Sequence, residues 1–226
     1  MSRTDLTPLL FDPQADFLIS AQRLPHWSQA GTWSFITWRT NDSLPAEVVE
    51  EWRRTRDRWL ISQGFDPKRD GWRQQLATAS FEVRRQFRLL LADNWERRLD
   101  ECHGRCELLE PELASIVAKS LRHFDGERYL LDSFVVMPNH VHLIAAFDEP
   151  TGMLEQCDNW KHFTSTQINR KLGRMGRFWQ PESFDHLIRT EDELHSLRAY
   201  IVDNPIRAGL KTNQFVLYCR DDVNRE

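Results

Sequence analysis

The run "RYLLDSFVVMPNHVHLIAAF", Arg128 to Phe147, sets the tightest limit on how this chain can fold. It is apolar and rich in β-branched residues, which predicts a strand buried on both faces in its first half. Pro138 has no amide donor, so it predicts an edge position or a bulge immediately before the histidines. His140 and His142 alternate with Val141, and side chains two apart on a strand share a face. Such a pair is either two core imidazoles or two ligands for one cation. Imidazoles suit a divalent transition metal, but two ligands do not close a structural site; the chemistry calls for a third ligand and an open position.

The segments on either side predict strands separated by helices. "GTWSFITWRT" (Gly31 to Thr40) is β-branched and aromatic and predicts a strand. "SLPAEVVEEWRRTRDRWLIS" then switches to helical spacing, with Pro45 in the first turn and Val48, Trp52 and Trp59 recurring on one side. Trp72 to Leu99 predicts a second long helix, and Pro111 to Leu121 a shorter one ending before Gly126. After Gly152, "MLEQCDNWKHFTSTQINRKLG" predicts an amphipathic helix with Leu154, Trp160, Phe163, Ile168 and Leu172 on its apolar side. "FWQPESFDHLIR" predicts a further strand. Thr190 to Glu193 reads as a capping box opening a last helix, and Pro205 predicts its end near Asn204. With no Rossmann or P-loop glycine pattern, these elements predict an α+β fold with a mainly antiparallel sheet.

Composition narrows the classes. At 226 residues, 40% hydrophobic and 11% aromatic, the chain can bury a sizeable core. It has no apolar run of membrane-spanning length, and "MSRTDLTPLLFDPQ" lacks a signal-peptide core, so a soluble cytoplasmic protein is expected. The four cysteines are too scattered for a disulfide framework, and Cys102-His103-x-x-Cys106 lacks the second ligand pair of a structural zinc site. A net charge of −4 argues against a globally basic nucleic-acid binder. The charge is uneven, however. Trp160 to Gln180 holds Lys161, Arg170, Lys171, Arg174 and Arg177 with no acidic residue, and Arg53, Arg54, Arg56 and Arg58 form a second basic patch.

Tyr200 and Asn204 stand four apart on the last helix and so project from one side of it. An amide oxygen can complete a metal shell, and a phenol near a Lewis acid is a potential nucleophile toward phosphate. The plainer alternative is a buried tyrosine and an asparagine closing the helix before proline.

"VVMPNHVHLI", followed some sixty residues later by "YIVDNPIRAGL", resembles the REP-associated tyrosine transposases, relatives of the single-tyrosine HUH transposases. "WKHFTSTQINRKLGRMGRFWQPESFDHLIR" resembles their middle segment and "TWSFITWRTNDSLPAEVVEEW" one branch of the group, so the likeness runs from about Gly126 to Leu210 with an outlier near the start. It implies a single domain of ferredoxin-like HUH fold with a central antiparallel sheet, here carrying a helical insertion over about 46–124. It also implies His140 and His142 as metal ligands, Tyr200 as nucleophile, Asn204 as third ligand and Mg²⁺ or Mn²⁺ as cofactor. The reaction implied is cleavage and rejoining of single-stranded DNA at hairpin-forming palindromic repeats through a 5′-phosphotyrosine, by a homodimer.

Single-stranded or hairpin DNA needs a basic groove with aromatic platforms. Lys161 is the candidate phosphate clamp. Arg170, Lys171, Arg174 and Arg177 are candidate backbone contacts, and Trp179 is a candidate stacking residue among Trp160, Phe163 and Phe178. Two other readings stand beside strand transfer: a palindrome-binding protein that does not cut, and a metal-dependent hydrolase in which the histidines activate water.

Overall fold

The segment around the histidines folds as a hairpin of two strands. The structure, a computed structural model, describes residues 7–21, 25–44, 46–87, 90, 102–181 and 183–220. Strand β4 (Tyr129–Val136) leads into β5 (His140–Phe147), and the Met137 N–H donates to the His140 carbonyl at 2.8 Å to close the turn. Pro138 and Asn139 are the two central turn residues. The proline therefore needs no ladder donor, and it marks the hairpin tip instead of the expected edge or bulge. The chain does bulge, but earlier, between Leu131 and Ser133.

Five strands pair antiparallel in the order β6-β3-β5-β4-β7, with β3 at Trp33–Arg39, β6 at Phe184–Leu187 and β7 at Val216–Cys219. This is the α+β architecture expected, a central antiparallel sheet flanked by helices. The histidine strand β5 is its middle strand. A separate two-stranded sheet pairs β1 (Leu18–Ala21) with β2 (Pro25–Ser28).

Paired residues point to the same face of a sheet, so the two faces can be read from the register. On one face Ile36, Trp38, Leu131, Phe134, Val136, Val141, Leu143 and Ala145 are buried with residues of two helices, Pro111–Arg122 and Gly152–Lys171. On the other, Trp33, Phe35, Val135, Met137, Ile144 and Ala146 pack with Leu194 and Ile201 of the helix Glu191–Arg207. We call these helices α3, α4 and α5, after α1 (Ala46–Ser62) and α2 (Trp72–Ala77). Pro111 begins α3 where its missing amide costs nothing.

Two helices depart from their sequence patterns for local reasons. The buried stripe of α4 is Met153, Gln156, Cys157, Trp160, Lys161, Thr164, Ile168 and Asn169, which leaves Phe163 and Leu172 exposed. Polar residues within the stripe had hidden its true phase. α5 begins at Thr190, whose hydroxyl accepts from the Glu193 N–H at 3.1 Å, as the capping box predicts. It does not stop at Asn204. Pro205 lies inside it, the Ala208 N–H reaches the Asn204 carbonyl at 3.0 Å, and Gly209 at φ 67° ends the helix.

Contacts divide the chain into two compact units, Met1–Asn41 with Cys106–Glu226, and Asp42–Arg105. Helix α3 belongs to the first, sheet-bearing unit. In the second, Trp59 and Trp72 pack on Phe87 with ring centroids at 5.3 and 6.3 Å. The helix expected over Trp72 to Leu99 is interrupted. The Thr78 hydroxyl donates to the Gln74 and Gln75 carbonyls and the Ser80 hydroxyl accepts from the Val83 N–H, so side chains end one helix and start the next. Residues 88, 89 and 91–99 of that expected helix lie outside the described residues.

Leu143 is fully buried beneath α3 and α4, on the face away from the histidines. Leu143→Ala is expected to destabilise the protein by about 2–5 kcal/mol, read as a lower urea midpoint with an unchanged slope.

Candidate active site

Both histidines are fully buried on the α5 side of the sheet, with ring centroids 4.7 Å apart and planes at 77°. Each is oriented by a neighbour. His140 Nδ1 lies 2.7 Å from Asn139 Oδ1, and a carbonyl oxygen only accepts, so Nδ1 carries the proton. That leaves a lone pair on His140 Nε2, a buried nitrogen with no hydrogen bond among the described residues. His142 pairs across the sheet with Thr37, whose hydroxyl lies 2.7 Å from Nδ1, and its ring stacks on Phe35 with centroids 5.5 Å apart.

Burial keeps both rings neutral. Desolvation lowers His140 to about 3, and desolvation, with repulsion from His140 second, holds His142 well below the ordinary imidazole value. A neutral imidazole with an oriented Nε2 lone pair, as at His140, is what a cation requires.

Tyr200 approaches from α5. Its Oη lies 3.4 Å from His142 Nε2, and the rings meet edge to face at 5.2 Å. Phe35 flanks the phenol at 6.0 Å, and the Arg207 guanidinium lies 5.5 Å from its ring centroid. Unlike the histidines, Tyr200 is only partly buried. Asn204 follows on the same helix and is fully buried.

The donor set fits a divalent ion held by two imidazoles. Among the described residues no group of three His, Cys, Asp or Glu side chains could hold one, so further ligands would be amide, water or substrate oxygens. Asn204, buried on the helix that carries Tyr200, offers one amide oxygen.

The basic run is placed differently. Lys161 is buried on α4, against the opposite face of the sheet, and its ammonium donates to the Pro181 carbonyl at 2.6 Å and pairs with Asp158 at 3.1 Å. Arg174 makes a bidentate pair with Glu107, both bonds 2.6 Å, and Lys171 pairs with Glu112 at 2.5 Å. Trp179 is a core residue. Its indole N–H donates to Thr164 Oγ1 at 2.8 Å and its ring packs on Trp38 and Phe178, so it offers no face for stacking a base. Arg170 and Arg177 are exposed, and Phe163 is the aromatic of that segment that reaches solvent.

Sequence reading missed Thr37, Arg39 and Arg207. Arg39 is the strand partner of His140 and is buried, with desolvation lowering its pKa to about 10, so it stays cationic at neutral pH. Alternation in "TWRT" placed Thr37 and Arg39 on one face, but which β5 residues they oppose depends on register. Arg207 follows Tyr200 by seven residues, a helical spacing that was readable once the helix was known to pass Pro205.

No family model matches the chain, and no curated protein matches it. Among solved structures it is similar to a REP-associated tyrosine transposase bound to a REP hairpin, at 14% identity and a TM-score of 0.45, over 84% of this chain and 76% of that one. The chemistry therefore has to be read from the side chains themselves. No helix among the described residues is long and apolar enough to cross a membrane.

The buried histidines make acid stability testable. Between pH 6.5 and about 3 the unfolded chain binds a proton at His140 that the folded chain does not, so stability falls as pH drops through that window. In metal-free protein this histidine contributes a slope of up to about 1.4 kcal/mol per pH unit. His140→Gln is expected to flatten the dependence of the unfolding free energy on pH by that amount, measured by urea titration at each pH.

Proposed function

We propose that this chain is a tyrosine-dependent single-strand DNA endonuclease and strand transferase, acting on hairpin-associated DNA with Mg²⁺ or Mn²⁺. The observation that carries the reading is the Tyr200 phenol, 3.4 Å from His142 Nε2, whose ring lies 4.7 Å from that of His140 with its buried Nε2 free of any hydrogen bond among the described residues. A buried polar atom of that kind needs an explanation, and a bound cation supplies one. The motif pair "MPNHVH" and "YIVDNP" supports the substrate class.

Each residue then has a chemical task. Asn139 and Thr37 fix the two rings, and His140, His142 and Asn204 would hold the ion. When bound, the ion supplies Lewis-acid neutralisation of phosphate and phenolate charge. The Tyr200 phenol gives up its proton and its oxygen attacks phosphorus, forming a 5′-phosphotyrosine as the P–O bond to the preceding 3′-oxygen breaks and that oxygen takes up a proton. Reversal of the same step by another 3′-hydroxyl rejoins strands. Arg39 and Arg207 bring positive charge to this face for the anionic substrate.

The other two tyrosines are poorly suited. Tyr129 is buried with its hydroxyl donating to the Leu121 carbonyl at 2.7 Å, and burial pushes its pKa to about 12. Tyr218 stacks on Phe134, on the sheet face away from the histidines. With a 3′-labelled hairpin oligonucleotide and Mn²⁺, wild type is expected to form an SDS-resistant adduct mapping to Tyr200, and Tyr200→Phe to form none. An adduct on Tyr218, or hairpin binding of equal strength in wild type and His140→Ala with no adduct under any metal, would replace this reading. The latter outcome describes a palindrome-binding protein that does not cut.

Ion binding has its own readout. Saturating Mn²⁺ is expected to raise the melting temperature of wild type but not of His140→Ala, since an ion held by the folded state alone stabilises it by mass action.

A further inference from the structure

Apolar packing holds α5 against the sheet, but it is non-directional and fixes the roll of the helix about its axis less sharply than a directional bond does. The buried stripe of α5 is Leu194, Ile201, Asn204 and Pro205. Arg198 and Tyr200 lie on its two flanks, about 160° apart around a helix of 3.6 residues per turn. Tyr200 leans over β5 and β3, where His142 and Phe35 meet it. Arg198 reaches β4 on the other side. Its Nε lies 3.1 Å from both carboxylate oxygens of Asp132, and its Nη2 also donates to Oδ1.

Asp132 is the residue at the β4 bulge. Its carboxylate is 7% exposed and also accepts from the Ser133 hydroxyl at 2.9 Å, while its carbonyl accepts from the Arg220 N–H at 2.7 Å. A carboxylate this buried is costly to desolvate, and an apolar residue of similar size would serve packing alone as well. What the ion pair adds is direction, since a planar guanidinium fork bonds a carboxylate in few orientations.

We propose that the Asp132–Arg198 pair is a positioning device that fixes the roll of α5 and so holds Tyr200 Oη against His142. This rests on the reading of Tyr200 as the reacting group. At a side-chain radius of ~6 Å a roll of ~10° moves a group by about 1 Å, a misplacement that can cost on the order of 100-fold in rate. At the helix start Glu193 makes the matching attachment on the Tyr200 flank, to His186 at 2.6 Å and to the Arg189 N–H at 2.7 Å. Arg198 is thus the mid-helix anchor on the opposite side.

The test uses Arg198→Lys, which keeps the charge but loses the fork, and Asp132→Asn. In the full chain with ring-labelled tyrosine, Tyr200→Phe assigns one of the three tyrosine signals. Both variants are expected to move the Tyr200 signal toward that of free tyrosine, because the phenol leaves the Phe35 and His142 rings, while the Tyr129 signal stays in place. Adduct formation at saturating hairpin is expected to fall about 10- to 100-fold, with hairpin affinity changed less than about twofold. An unmoved Tyr200 signal with an unchanged rate overturns the proposal. So does loss of the Tyr129 signal position together with that of Tyr200 in both variants, which would mean a merely structural pair. If wild type forms no adduct at all, the strand-transfer reading fails, and the Tyr200 signal still decides whether the pair positions the phenol.

Discussion

Two uncharged imidazoles at the centre of an apolar sheet are the constraint around which the rest of this structure is arranged. Burial forbids them a second proton, and Asn139 and Thr37 decide how each ring lies. For Thr37 to meet His142, β3 must pair with β5 in one register, and a slip of one residue would turn every side chain to the other face. That register also sets Arg39 opposite His140 and Phe35 beneath the His142 ring. The chemistry of the site and the pairing of the sheet are thus one specification.

The two faces of the sheet divide the work. One is closed by α3 and α4 over a large apolar core holding Trp38, Trp160 and Trp179. The other carries the histidines under α5, with the partly buried Tyr200 beside them. Most of the positive charge of the 161–177 segment is tied up on the first side, in pairs with Glu107, Glu112 and Asp158. Arg39 and Arg207 stand on the second. For a chain of net charge −4, local placement of a few cations matters more than their total.

Much of this was legible in the sequence because strand and helix periods are short-range. Alternation put His140 and His142 on one face, and i, i+4 spacing put Tyr200 and Asn204 on one side of a helix with a clear capping signal at Thr190. What was not legible depended on partners distant in the chain. Nothing local says that Pro138 is a hairpin tip, since that follows from Met137 bonding back to His140. The role of Trp179 is set by Thr164 and Trp38, and that of Arg174 by Glu107 far upstream. Thr78 and Ser80 broke an otherwise convincing helical pattern by hydrogen-bonding the backbone themselves. The helix running through Pro205 was missed because one absent donor is a smaller penalty than a helix docked on a sheet can absorb.

That same proline leaves a mechanical signature. It supplies no N–H to the Ile201 carbonyl, one position past the phenol, so the helical ladder is missing a rung directly beneath Tyr200. Bending a helix at such a place stretches fewer bonds than bending it elsewhere. The capped and ion-paired stretch of α5 thus lies before Tyr200, and the missing rung lies just after it.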